Sequence, residues 1–147
     1  MNPAFLLLCI TFSMTLYSSI NAQNLSNHRW ENRVLILVTD DLENEYYQKQ
    51  LKELEGNEEK LKERKLTIYR VWEGQYKIGL EDQNGWYSVL DDNFSKLTTL
   101  SDSEFEIILI GLDGGVKVRE TETIEVEKLF AIIDSMPMRA QEIRNSY

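Results

Sequence analysis

Two adjacent carboxylates, Asp40 and Asp41, directly follow Val34-Leu35-Ile36-Leu37-Val38, a short and continuously apolar run. Acidic side chains where a strand ends and a helix begins occupy a common ligand position of open α/β sheets. With Asp113, they are the groups that could run acid–base hydrolysis, provided that two of them sit within hydrogen-bond reach and one pKa is raised. The plainer role outweighs it. Asp40 and Glu43 have the spacing of a capping box, which calls for a carboxylate at that point without any catalysis. A second group of interest is aromatic: Trp72, Trp86 and Tyr87 lie in or beside an irregular stretch, and Trp86 with Tyr87, if exposed, would suit a protein or glycan partner. The competing reading is that they cover the sheet as core.

Other constellations carry less. His28 is the only histidine, so neither a multi-histidine zinc site nor a second Ser-His pair can be assembled, and it is expected at the surface. Asp82 with Asn84, and Asp91-Asp92-Asn93, lack the spaced oxygens and closing Glu of a calcium loop and read as turn residues. Gly111, Gly114 and Gly115 fall between two strands rather than between a strand and a helix, so they fit turn geometry and not a phosphate cradle. The mixed run of Glu58, Glu59, Lys60, Lys62, Glu63, Arg64 and Lys65 reads as a solvated helix face. Met136 and Met138, either side of Pro137, are expected to fill gaps in the core. No metal and no cofactor is expected.

Composition bounds the partners and the address. The chain has 147 residues and a formal net charge of −9, which suits one domain and repels phosphate backbones and anionic lipid. Nucleic acid is therefore not an expected partner. From Pro3 to Ile20 no residue is charged, and FLLLCITFSMTLY has the length of a secretory apolar core. Residues 1–22 are read as a signal peptide cut after Ala22, with an uncleaved anchor as the rival, and 23–147 as a single exported domain, periplasmic or extracellular. The only cysteine, Cys9, lies inside that leader, so the mature chain would have neither disulfide nor thiol chemistry. Asn24-Leu25-Ser26 and Asn93-Phe94-Ser95 match the glycosylation pattern.

The elements that would position these residues follow from period. Val34 to Val38 reads as a strand covered on both faces. A helix opens behind Asp40, with Tyr47, Leu51, Leu54 and Leu61 on one side and a possible break at Gly56-Asn57. Leu66 to Trp72 reads as a second internal strand, parallel to the first across that helix. From Glu73 to Ser101 the pattern loosens: Tyr76, Ile78 and Leu80 alternate before Asn84-Gly85, and Trp86, Tyr87 and Val89 follow, which reads as a small hairpin or excursion. A short helix carries Phe94, Leu97 and Leu100. Phe105 to Ile110 is a strand, Asp113-Gly114 turns it into another through Val116 and Val118, and a helix runs from about Glu125 to Met136. Pro137 opens one more helical piece, Met138 to Arg144.

The order strand, helix, strand, helix, strand, strand, helix resembles the thioredoxin fold, which implies α/β architecture with a central mixed sheet of about four strands flanked by helices. The blocks LIGLDGGVKVR and LFAIIDSMPMRAQEIR, with the opening Trp30-Glu31-Asn32-Arg33-Val34-Leu35, are similar to the family catalogued as domain of unknown function 4174. Its members are mostly exported bacterial proteins, with related domains in secreted animal matrix proteins. The resemblance implies a fold without its usual reaction. Where thioredoxin-like enzymes place paired cysteines the chain reads Thr39-Asp40-Asp41-Leu42, and Asp102-Ser103-Glu104 precedes Phe105 where a cis proline would enter. The expectation is a monomeric binding module for an unidentified protein or glycan partner in the cell envelope, off the membrane once the leader is cut. The alternative is a carboxylate-dependent hydrolase or other non-thiol enzyme.

Overall fold

A computed structural model describes residues 25–82, 85–89 and 91–146. The expected leader with Cys9, the sequon asparagine Asn24 and the turn residue Asn84 lie outside the described residues.

The run Arg33–Thr39 forms strand β1, buried at every position. It is the hub of the sheet: β2 (Leu66–Trp72) pairs with it in parallel, Arg33 facing Leu66 through Thr39 facing Trp72. On its other side β5 (Phe105–Ile110) pairs antiparallel, Val34 facing Ile110. A parallel neighbour needs a crossover, and two helices supply it, α1 (Glu45–Leu54) and α2 (Glu58–Glu63). The break between them falls at the expected place, with Gly56 at φ 75°.

The sheet holds six strands in the order β4-β3-β2-β1-β5-β6, not about four, with β6 at Val116–Glu120. The two additional strands lie in the excursion: β3 (Gln75–Ile78) and β4 (Tyr87–Ser88). Glu73 and Gly74 join β2 to β3 in a two-residue loop, and both have positive φ, 47° and 71°. That backbone matches the twist of the strands it joins, so Trp72 faces Gln75 and the hairpin closes at once.

Alternation along the strands splits the core in two. Leu35, Leu37, Ile68, Ile107 and Leu109 face α1, α2 and helix α4 (Val126–Asp134), meeting Tyr47, Leu54, Leu61, Leu129 and Ile133. Val34, Ile36, Val38, Tyr69, Val71 and Ile108 face the other way and are covered by Phe94 of α3 (Asp92–Leu97). Asp91 caps that short helix, its Oδ1 accepting the Phe94 N–H at 2.7 Å. Gln50, fully buried on α1, exchanges two hydrogen bonds with the backbone of Ile124 and so fixes the approach to α4.

Pro137 stands in the first turn of α5 (Pro137–Asn145), which buries only one side chain, Arg139. Charge holds this helix: Glu142 accepts from Arg33 at 3.2 Å, while Arg139 pairs with Asp134 and Glu63. Arg64 joins the same cluster through Asp134 at 2.6 Å and lies 4.3 Å above the Phe130 ring. Arg64 is thus largely buried rather than part of a solvated face. His28 is half-buried near the surface; its Nε2 lies 2.7 Å from the Tyr69 hydroxyl, and burial lowers its pKa against the pull of Glu31. Met136 packs on the core as expected, whereas Met138 is exposed.

Candidate functional site

Asp40 and Asp41 stand at the end of β1 and are both exposed. The strand stops there because Thr39 turns its hydroxyl to the backbone, with Oγ1 2.7 Å from the Asp41 carbonyl oxygen and 3.1 Å from that of Glu104. Asp41 Oδ1 then accepts the Glu43 N–H at 3.0 Å, forming a local turn. The helix cap is neither of them. Asn44 Oδ1 accepts the Tyr47 N–H at 3.1 Å, so α1 starts four residues later than the Asp40–Glu43 spacing proposes. Asp40 borders a cavity of about 230 Å³ together with Gly74, Ser95 and Thr98.

Trp86 and Tyr87 do not form one patch. Trp86 turns toward the α1 face and meets Trp72, the ring centroids 5.7 Å apart. Tyr87 turns to the α3 face, 52% exposed, and lies against Tyr76. The alternation of side chains at a strand separates them.

On the α1 face, Trp86 belongs to a groove of about 420 Å³ between α1 and the β2–β3 hairpin. Its floor carries two cations. Arg70, with a side chain only 4% exposed, donates from Nη1 to Asp82 Oδ1 at 3.0 Å and from Nη2 to the Glu81 carbonyl at 2.8 Å. Lys77 Nζ reaches the same Asp82 oxygen at 3.2 Å and sits 4.9 Å over the Trp86 ring. Arg70 Nε is buried and accepted by no group among the described residues. Hydrogen bonds from Lys77 and Arg70 hold the Asp82 carboxyl below its ordinary range although the side chain is largely in solvent. Tyr47 forms part of the α1 wall; burial raises its hydroxyl pKa, and the charge and hydrogen bond of Arg70 oppose that.

Sequence reasoning missed Arg70, Lys77, Asp82 as a cation partner, and Tyr47 as site residues. The signal was present in the alternation of β2, where Arg70 interrupts an otherwise apolar face, but it needs the hairpin to gain meaning. A second groove of about 560 Å³ borders Leu80 as well and runs between α2 and β3, over Leu61, Ile68 and Ile78. Among the described residues no cluster of His, Cys, Asp or Glu is placed to hold a metal ion. No helix among them is long and apolar enough to cross a membrane.

Sheet and helices together define a mixed α/β domain, and one of its grooves combines aromatic residues with three cations and three carboxylates. The chain belongs to the family described as domain of unknown function (DUF4174), whose model matches residues 24–142. No curated protein matches it.

Proposed function

We propose that this chain is an exported, monomeric thioredoxin-like domain that works by binding a protein or glycan partner and performs no redox chemistry. The fold assignment is supported by the inner strands, whose order β2-β1-β5-β6 has one parallel pair followed by two antiparallel ones. Helices α1 and α4 lie on one face and α3 on the other, the layering of that fold. At the start of α1, where the redox pair of such enzymes would stand, Asp41 and Asn44 act as backbone acceptors.

The observation that carries the binding reading is the groove beside Trp86. An aromatic pair next to two cations, in a concavity of this volume, offers stacking and charged hydrogen bonds at one place. The carboxylate-enzyme alternative has less support, since Asp41 already accepts a backbone N–H and serves the turn.

A pull-down with residues 23–147 from the host's envelope fraction tests this, alongside a Trp86→Ala, Tyr87→Ala double variant. Specific capture by the parent and its loss in the folded variant is the expected result. Capture by neither protein, or by both equally, would sink the reading and turn attention to substrate screening with Asp40→Asn and Asp41→Asn.

A further inference from the structure

We infer that the groove floored by Arg70 and Lys77 binds a carboxylate-bearing saccharide, whose carboxylate takes the position that the Asp82 carboxylate occupies. This rests on the reading that the Trp86 end of the sheet is a binding surface.

The argument begins with the charge arrangement. Arg70 is fixed by burial, and Lys77 converges on the same point, since both meet one oxygen, Asp82 Oδ1, at 3.0 and 3.2 Å. Two cations aimed at one oxygen make a receptor for a carboxylate. Asp82 is its occupant yet is itself 78% exposed at the side chain, so it holds the receptor from a loop rather than from the core. An internal carboxylate of that kind is a competitor that a ligand can displace, and its removal lowers the cost of ligand entry.

The remainder of the groove sets what the carboxylate is attached to. Trp86 lines the groove next to Lys77 and adds aromatic surface for apolar contact with a sugar ring. Gln48, Lys52 and Glu55 along α1 supply donors and acceptors for ring hydroxyls. Charge excludes a densely anionic polymer. The chain carries a net charge of −9, and Glu43 and Glu55 border the groove, so a ligand with one carboxylate per contact is admitted and a highly sulfated one repelled.

The test is titration of tryptophan fluorescence in the intact domain with digalacturonic acid, neutral galactobiose and N-acetylglutamate. Digalacturonic acid is expected to bind, with galactobiose and N-acetylglutamate each at least about tenfold weaker. Asp82→Asn, which keeps the shape and removes the charge, tightens uronate binding by about tenfold, and Lys77→Gln weakens it by a similar factor. Thermal melts establish that both variants are folded. The inference is overturned by equal affinity for the neutral sugar, by N-acetylglutamate binding as tightly as the uronate, by uronate affinity unmoved in both variants, or by no uronate binding. If it fails while Trp86→Ala, Tyr87→Ala still abolishes partner capture, the broader binding reading stands and only the saccharide assignment falls.

Discussion

Arg33 shows how a buried charge makes its partner matter more than itself. Its side chain is fully buried at the start of β1, with Nη1 donating to the Arg64 carbonyl and to Glu142. Its Nε and Nη2 are buried with no partner among the described residues. Taking away the carboxylate strands a charge in the interior, so Glu142→Ala is expected to cost about 3 kcal/mol in denaturant unfolding. Arg33→Met removes the charge together with its need for a partner and is expected to cost clearly less; an equal or larger loss for Arg33→Met would refute this account. None of this was legible in the sequence. Arg33, Arg70 and Arg139 read as ordinary polar letters because the partner of each comes from another element: Glu142 for the first, Glu81 and Asp82 after β3 for the second, Glu63 for the third.

At the scale of elements, α1 tests the local reading of the chain. Every position from Thr39 to Asn44 except Leu42 has a side chain able to accept a hydrogen bond, and spacing alone favoured Asp40 with Glu43. The choice fell to Asn44 because Thr39 and Asp41 first form a turn that carries the backbone away from the strand. Asn44→Ala is therefore expected to lower stability by about 1 kcal/mol, and Asp40→Ala by much less, as read from chemical denaturation. Helix α5 tests the electrostatic side. Burial pushes the Asp134 carboxyl up, but hydrogen bonds from Arg64 and Arg139 outweigh it and hold the pKa below the ordinary 3.8. A depressed carboxyl contributes stability above its unfolded value and loses that contribution as the pH falls through the folded one. The melting temperature of the parent should exceed that of Asp134→Asn at neutral pH, and the gap should close once the pH drops below 3.8. A gap that persists in acid would mean packing, not charge, holds the helix. The strands divide in the same instructive way. β1 was legible from its central apolar run, and β2 and β5 because β-favouring residues dominate both faces over a turn-bounded length. β3 and β4 were legible only as a small hairpin about Asn84-Gly85; that β3 also pairs with β2 was not, since Glu73-Gly74 is a weak turn signal and β4 is only two residues long.

For the whole molecule, the order of elements could be read because the inner strands β1, β2 and β5 announce themselves through burial on both faces, while the number of strands in the sheet depended on pairing partners no local pattern reveals. The groove was invisible for the same reason: its floor comes from a hairpin and its wall from a helix more than a strand away. The central place of β1 has a consequence for how the protein comes into being. Its β2 neighbour is made soon after it, but Ile110, which faces Val34, is made much later. Until then a nascent chain displays a fully apolar segment with one edge unsatisfied, the kind of surface that associates with other chains. Truncations ending before β5 should therefore aggregate rather than remain soluble, because the edge of β1 that β5 covers stays open.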